Sequence, residues 1–217
     1  MTLNNIHKVG LAIIVFIAVV IGAFFAYQFS IEESHKAKQK QLLDHKFFLF
    51  KQPRPISPVM LSNMHGDEKV FSEHLQGWRI VNFGYMFCPD ICPINLAFLS
   101  DIKTSWDETQ AKQPLNVIHV TFDPARDTPE VLKPYLEYMN PAFYGLTGEL
   151  DNIRRLAQQL HMVFIHEKPD ERGHYFISHS DSMALINPKG EYIGMFKAPY
   201  QQDSMLKALS LLIDHGA

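Results

Sequence analysis

The chain has 217 residues, of which 47% are hydrophobic, and its 20 basic and 23 acidic side chains give a formal net charge of −3. Because the charges are nearly balanced and interspersed, the composition argues against a nucleic-acid partner. The 2 cysteines cannot form a disulfide framework, so the stability of the fold must come from a hydrophobic core.

The first predicted element is a membrane-spanning helix over residues 9–31, which contain no charged side chain. At about 1.5 Å per residue, a helix of this length crosses a hydrocarbon core of about 30 Å. The alternative is a cleaved signal peptide, but the apolar run is long for one and no Ala-x-Ala site follows it. We expect residues 1–8 to form a short N-terminal segment, residues 32–54 a stalk and residues 55–217 one folded domain.

The charges beside the predicted anchor give a weak indication of its orientation. Lys8 precedes the anchor, whereas Lys36, Lys38 and Lys40 follow it. Counted alone, these side chains favour a cytoplasmic C-terminal domain. The chemistry of the domain, considered below, favours the opposite orientation.

The pattern after residue 54 predicts strands and helices in alternation. Thr128 precedes a proline and an acid, a combination typical of a helix start capped by threonine. The predicted elements are a hairpin within 59–71, a strand over 79–85, a helix over 93–105, a strand over 115–122, a helix over 128–139, a helix over 150–160, a short strand over 163–165, a hairpin of 183–187 with 192–196, and a final helix over 204–214. This order matches an α/β, thioredoxin-like fold with an N-terminal hairpin extension.

The cysteine pair, Cys88 and Cys92, follows the strand predicted over 79–85. Residues four apart lie on the same face of a helix, so both sulfurs can hold one metal ion or bond to each other. The N-terminus of the next helix favours thiolate over thiol. Thiol oxidoreductases have two residues between their cysteines, and the wider spacing here leaves room for a soft ion, such as Cu(I) or Zn, or an iron–sulfur unit. A disulfide without further function is the alternative.

Several segments resemble the Sco/SenC family of copper-binding proteins. The resemblance covers the chain from about residue 55 to its end, in the order found in the family. The matching segments are residues 83–93 (FGYMFCPDICP), 120–130 (VTFDPARDTPE), 145–148 (GLTG), 179–180 (HS) and 187–190 (NPKG).

The resemblance implies a membrane-anchored protein with a thioredoxin fold that faces the periplasm or the mitochondrial intermembrane space. It also implies that Cys88, Cys92 and His179 bind copper, which the family delivers to the CuA centre of cytochrome c oxidase, or that the protein reduces the cysteines of that centre. The residues alone give His179 weaker support. It lies at the edge of a strand, from which a loop could face the cysteines.

The chain has 11 histidines, and most of them are expected to be bystanders. His119 lies within the strand predicted over 115–122 and is predicted to be a core residue. The histidines predicted to lie on the surface are His65, His74, His166, His174 and His215.

The chain departs from the family pattern at Ser178, where aspartate is frequent, and at Ala184, where the position is often aromatic. Met86 is a thioether near a soft-metal site, although core packing is the simpler interpretation. Asp90, between the cysteines, could tune the site, contact a partner or stabilise the helix start.

A polar cluster follows the strand predicted over 115–122. Its members, Asp123, Arg126 and Asp127, are most simply read as loop hydrogen-bonding and helix-capping residues, with a partner contact as the alternative.

These observations predict a copper carrier rather than an enzyme, with Cu(I) or Cu(II) as the bound metal. The expected partners are the CuA subunit of the oxidase or another copper chaperone, together with the inner membrane. Copper handling by thiols needs an oxidising, copper-exposed compartment, and this overrides the charge count. Since the N-terminal segment lacks an Arg-rich transit pattern, a bacterial inner membrane with a periplasmic domain is favoured over mitochondria. A thiol–disulfide reductase and a copper or redox sensor remain as alternatives.

Overall fold

The computed structural model describes residues 3–74, 76–109 and 113–213. The chain forms two compact units, Met1–Gln41 and Leu42–Ala217. The helices are α1 (Leu3–Asp44), α2 (Phe71–His74), α3 (Ile91–Thr109), α4 (Pro129–Met139), α5 (Leu150–Gln159) and α6 (Gln202–Ile213). The strands are β1 (Phe47–Pro55), β2 (Met60–Asn63), β3 (Glu68–Val70), β4 (Trp78–Gly84), β5 (Leu115–Thr121), β6 (Phe143–Thr147), β7 (Phe164–His166), β8 (Ile177–His179), β9 (Ser182–Ile186) and β10 (Glu191–Lys197).

The N-terminal unit is helical. Helix α1 contains one stretch, Val15–Asp44, that is long and apolar enough to cross a membrane by its length and composition. Large apolar side chains along it, such as Phe16 and Phe25, are exposed in the structure. The predicted anchor over residues 9–31 therefore lies in one continuous helix, which also runs through much of the predicted stalk.

The C-terminal unit is built on an eight-stranded mixed sheet in the order β1-β10-β9-β4-β5-β6-β2-β3. Strands β4, β5 and β6 are parallel, and the other pairs of this sheet are antiparallel. Strands β7 and β8 form a separate antiparallel ribbon. The two predicted hairpins are confirmed as β2–β3 and β9–β10, and the predicted central strands as β4 and β5.

Side chains on the two faces of the sheet belong to two different clusters of the core. Ile80 and Val117 pack with residues of α3, α4 and α6, whereas the next residues along, Val81 and Ile118, pack with residues of α5. Because side chains alternate along a strand, a strand covered on both faces is apolar throughout. This explains the nearly continuous apolar runs from which β4 and β5 were predicted.

The folded domain begins earlier in the chain than the predicted boundary at residue 55. Strand β1 pairs with β10, and the side chains of Leu42 and Phe47 are fully buried. Prolines occupy positions 53 and 55 of β1, which is an edge strand of the sheet, where proline is tolerated because one side of the strand needs no partner. The predicted stalk is therefore wrong for residues 42–54.

Two further details differ from the prediction. Strand β6 was not predicted as a strand, although residues 145–147 of it belong to a segment noted for its family resemblance. Thr128 occupies the position before α4 but makes no side-chain capping hydrogen bond.

His74 was predicted to lie on the surface, and this prediction is wrong. The imidazole is only 7% exposed, with Nε2 at 2.9 Å from the carbonyl oxygen of Leu61 and Nδ1 at 3.2 Å from the hydroxyl of Tyr144. His65 and His174 are exposed and His166 is partly buried, whereas His215 lies outside the described residues.

Candidate metal centre

The two cysteines lie where β4 leads into α3. Cys92 is the second residue of α3 and is 2% exposed, while Cys88 lies in the preceding turn and is partly exposed. The amide of Cys88 donates a hydrogen bond of 3.3 Å to the carbonyl oxygen of Tyr85. The prediction that both cysteines share one helix face is therefore wrong, because α3 begins at Ile91, after Cys88. Both thiols are free in the structure.

His179 ends strand β8, and its ring faces Cys92. The Nε2 atom lies 3.7 Å from Sγ of Cys92, and Nδ1 lies 3.0 Å from the carbonyl oxygen of Ser180. A carbonyl oxygen can only accept, so Nδ1 carries the proton and the lone pair of Nε2 is directed at the sulfur. This tautomer leaves Nε2 available for a metal.

Cys92 is the centre of the arrangement. Its Sγ contacts Nε2 of His179, and the thiol of Cys88 contributes to raising its pKa. Across the described ranges, however, no three side chains of histidine, cysteine, aspartate or glutamate are already close enough together to hold an ion. The structure thus brings two of the three predicted donors, Cys92 and His179, into contact, but it does not arrange all three around a shared point.

The electrostatic surroundings of Cys92 favour a neutral thiol. Burial raises the pKa of Cys92, and the hydrogen bond with Cys88 and the nearby charge of Asp127 act in the same direction. The N-terminus of α3 was predicted to favour the thiolate, but burial outweighs it for this residue. Metal binding at Cys92 must therefore release a proton.

Two sets of contacts fix the strand that carries His179. Strand β8 pairs with β7, where Phe164 lies opposite His179, and the amide of Ile177 donates to the hydroxyl of Tyr85 at 3.3 Å. Tyr85 follows β4 directly, so this bond ties β8 to the start of the cysteine turn.

Asp181 provides the second anchor, two residues after His179. Its Oδ1 accepts hydrogen bonds from Asn95 of α3 at 3.0 Å and from the hydroxyl of Tyr200 at 2.9 Å. Sequence reasoning missed both Asn95 and Asp181. The signal available in the sequence was an asparagine among the apolar residues of a predicted helix. In the structure Asn95 is 4% exposed, and a buried polar side chain needs a partner.

The polar cluster after β5 supports the cysteine turn from within. Asp127 is fully buried, and its Oδ2 accepts from the amide of Met86 at 3.0 Å and from the hydroxyl of Thr121 at 2.5 Å. Met86 is two residues before Cys88. The predicted loop hydrogen bonding is confirmed, and burial raises the pKa of Asp127 to about 6.

Arg126 joins this cluster to the segment before β8. Its guanidinium pairs with buried Asp123 and lies 3.8 Å from the ring centroid of Tyr175 and 4.9 Å from that of Phe87. The hydroxyl of Tyr175 also donates to Asp123 at 2.7 Å. Asp123 and Asp127 are buried, so a direct partner contact by these two carboxylates, the alternative considered above, is not supported.

The remaining residues singled out in the sequence lie around the site without joining it. Ser178 is exposed and donates to Glu167 at 2.7 Å. Ala184 is fully buried in β9. Met86 packs against the core, as predicted, and Asp90 is exposed in the turn before α3.

The chain is similar to a family of known proteins over most of its length. The model of the SCO1/SenC family matches residues 57–214. A protein of Stutzerimonas stutzeri whose name describes copper binding is 35% identical over 178 residues, which are 80% of this chain and 85% of that protein. The mitochondrial SCO1 homolog of Mus musculus is 30% identical over 139 residues, 64% of this chain, and the match spans about half of the mouse protein, 49% of its length.

A solved structure shows the same architecture. Yeast Sco1 with copper bound superposes with a TM-score of 0.69 and 28% identity, covering 76% of this chain and 91% of that chain. The mixed sheet and the order of its elements therefore match the thioredoxin-like fold of that structure, as predicted.

Proposed function

The chain belongs to the SCO1/SenC family, and on this premise we propose that it is a membrane-anchored copper chaperone that binds Cu(I) and Cu(II) and takes part in the assembly of cytochrome c oxidase. The evidence for copper as the metal comes from the relatives: the Stutzerimonas protein is named for copper binding, and yeast Sco1 was solved with copper bound. The finer assignment of ligands and partner rests on the residues of this chain.

The proposed copper ligands are Cys88, Cys92 and His179. The observation that carries this proposal is the 3.7 Å contact between Nε2 of His179 and Sγ of Cys92. Thiolate sulfur favours Cu(I), whereas imidazole nitrogen suits Cu(II). Two sulfurs alone can therefore hold the reduced ion, and the histidine adds affinity for the oxidised one.

Formation of the three-ligand set requires a small rearrangement of the cysteine turn. Cys92 and His179 are held by α3 and by the β7–β8 ribbon, so Cys88, which lies in the turn and is more exposed, is the donor that must move. An exposed donor is also the one that an incoming ligand of a partner can replace. We propose that copper leaves through Cys88, with the CuA subunit of the oxidase or another copper chaperone as the acceptor.

The proposal places residues 9–31 of α1 in the membrane and the C-terminal unit outside the cytoplasm. The support for the anchor is the length and apolar composition of Val15–Asp44. The support for the orientation is chemical, because copper-loaded thiols belong to a copper-exposed compartment, and a bacterial inner membrane with the domain in the periplasm fits it.

A transfer experiment tests the proposed function. The full chain in detergent, loaded with one Cu(I), is mixed with the metal-free CuA domain of an oxidase subunit whose cysteines have been reduced beforehand. We expect copper to appear on the CuA domain, and a Cys88→Ser variant to transfer much less. Retention of all copper on this chain at equilibrium, with the CuA domain still metal-free, would argue against the chaperone function.

A thiol–disulfide reductase is the second candidate. It is supported by the two free thiols of Cys88 and Cys92 at the start of α3, since such a pair can exchange with a disulfide of a partner without a metal. This function needs both cysteines but not His179. Reduction of an oxidised CuA domain by metal-free protein at the same rate in wild type and His179→Ala would favour it.

A further inference from the structure

A buried imidazole lies behind Cys92 with one nitrogen unused. His119 of β5 is 0% exposed, and its Nε2 makes no hydrogen bond to any described residue. Burying an unpaired polar group costs free energy that a hydrocarbon side chain at the same place would not. His119 is not among the proposed ligands, so its buried, unpaired nitrogen needs another explanation.

Gly84 brings the imidazole next to Cys92. Asn82 and His119 are paired across β4 and β5, and Gly84 lies two residues further along the same face of β4. A Cβ atom at Gly84 would lie 3.0 Å from Sγ of Cys92 and 3.0 Å from Cε1 of His119. Because glycine has no side chain, nothing at this position separates the sulfur from the imidazole.

The partner of the other ring nitrogen defines which atom carries the proton. The side-chain amide nitrogen of Asn82 lies 3.2 Å from Nδ1 of His119. An amide nitrogen can only donate, so Nδ1 accepts and the proton resides on Nε2. The ring therefore has one N–H, at Nε2, and this N–H is free.

A cysteine sulfur that binds a metal is a thiolate and is a much better hydrogen-bond acceptor than a thiol. We propose that His119 is a positioning residue of the copper centre, which donates its Nε2–H to the sulfur of Cys92 when copper is bound. This inference rests on the proposed function and adds a residue that does not itself bind the metal.

The hydrogen bond would set the electronic properties of the site. Hydrogen bonds to a copper-bound cysteine sulfur change the reduction potential of the metal. A donor withdraws charge from the sulfur, which favours Cu(I) over Cu(II) and moves the thiolate-to-Cu(II) charge-transfer band to higher energy. His119 would thus favour the reduced form of the bound metal.

The test compares two variants of the full chain in detergent. His119→Met removes the donor and keeps a side chain of similar length, whereas His119→Gln places an amide N–H at a reach similar to that of Nε2. With one Cu(II) bound, we expect the charge-transfer band of His119→Met to shift to longer wavelength and its Cu(II)/Cu(I) potential to fall. The His119→Gln variant should return both towards the wild-type values.

His74→Met is the matched control, because His74 is also buried but its nitrogens contact Leu61 and Tyr144, away from the cysteines. An unchanged band and potential in His119→Met, or the same shift in His74→Met, would overturn the proposal. Loss of a nitrogen hyperfine coupling in the electron paramagnetic resonance spectrum of His119→Met would also overturn it, because His119 would then be a ligand.

A measurement on the wild type needs no variant to fold. In protein labelled with ¹⁵N-histidine, addition of Cu(I) should move the Nε2–H proton resonance of His119 downfield, and an unmoved resonance in copper-loaded protein would contradict the inference. If the wild type binds no copper at all, the proposed function fails first, and this result is distinct from copper binding without an effect of His119.

Discussion

Asn95, three residues after Cys92, donates a hydrogen bond of 3.0 Å to Asp181, two residues after His179. The bond joins α3 to the segment that follows β8, so it fixes the distance between the two elements that carry these donors. The geometry of the candidate centre therefore depends on residues outside the predicted ligand set.

This relationship predicts that Asp181→Ala weakens Cu(II) binding while leaving all three proposed ligands in place. Loss of the acceptor for both Asn95 and Tyr200 frees the segment after His179, and the loss of such supporting contacts typically lowers metal affinity by about 10–100-fold. Competition titration with a chelator of known affinity measures the change. Asp151→Ala, at a carboxylate that is 89% exposed, is the control, and equal affinities for the two variants would contradict the prediction.

The earlier domain boundary predicts different stabilities for two adjacent variants of β1. Phe47 is fully buried, with its ring 4.6 Å from that of Phe196, whereas Phe48 is 38% exposed. Phe47→Ala should lower the free energy of unfolding by about 3–5 kcal/mol because it leaves a cavity in the core, and Phe48→Ala should have a much smaller effect.

Urea unfolding followed by tryptophan fluorescence measures both values. Both tryptophans of the chain, Trp78 and Trp106, lie in the C-terminal unit and are buried, so their emission reports on that unit alone. Equal losses for Phe47→Ala and Phe48→Ala would mean that β1 does not contribute to the core.

Much of the fold could be predicted because β4 and β5 are buried on both faces. Such strands are apolar throughout, and the hairpins on either side have recognisable turn residues. Strand β1 could not be predicted in this way, because its outer residues are exposed and its prolines are characteristic of a linker. Only its pairing with β10 places it in the sheet.

The candidate donors were predicted from the sequence, whereas the geometry between them was not. Cys92 and His179 meet although 87 residues separate them, and sequence resemblance rather than local pattern predicted this contact. The features that the sequence did not predict depend on tertiary packing. The burial of His74 and the raised pKa of Cys92 both depend on what packs around them, which the local sequence does not contain.

Gly84→Ala is predicted to impair copper binding without changing any donor. The new methyl group would meet both Sγ of Cys92 and Cε1 of His119 at 3.0 Å, which is closer than ordinary contact, so the sulfur and the imidazole must be pushed apart from it. We expect a weaker Cu(II) affinity in a chelator competition. The control is Gly22→Ala, where an added Cβ meets nothing within 4 Å, and wild-type affinity in Gly84→Ala would contradict this explanation of the close approach.

Asp127 predicts a pH dependence of stability. Burial raises its pKa from 3.8 to about 6 in the folded protein, so the folded state holds the proton more tightly than the unfolded state. The contribution of Asp127 to stability is therefore fully present at low pH and is lost as the pH rises from about 4 to about 6, by up to about 3 kcal/mol. In Asp127→Asn, the amide oxygen can still accept from Met86 and Thr121, and this pH-dependent loss disappears.

The measurement is the free energy of unfolding at pH 4 and at pH 7 for both proteins. The unfolding free energy of Asp127→Asn minus that of wild type should be larger at pH 7 than at pH 4. If the difference in unfolding free energy between the two proteins is the same at both pH values, Asp127 does not titrate in this range.

The most direct test of the ligand set is an optical titration of the full chain with Cu(II), in wild type, His179→Ala and His174→Ala. His174 is an exposed histidine in the segment before β8 and is not among the proposed ligands. The wild type and His174→Ala should develop a thiolate-to-Cu(II) charge-transfer band at one equivalent of copper, and His179→Ala should lose this band while still binding Cu(I) through its two cysteines. An undiminished band in His179→Ala would show that the imidazole is not a ligand and that the account of this centre is wrong.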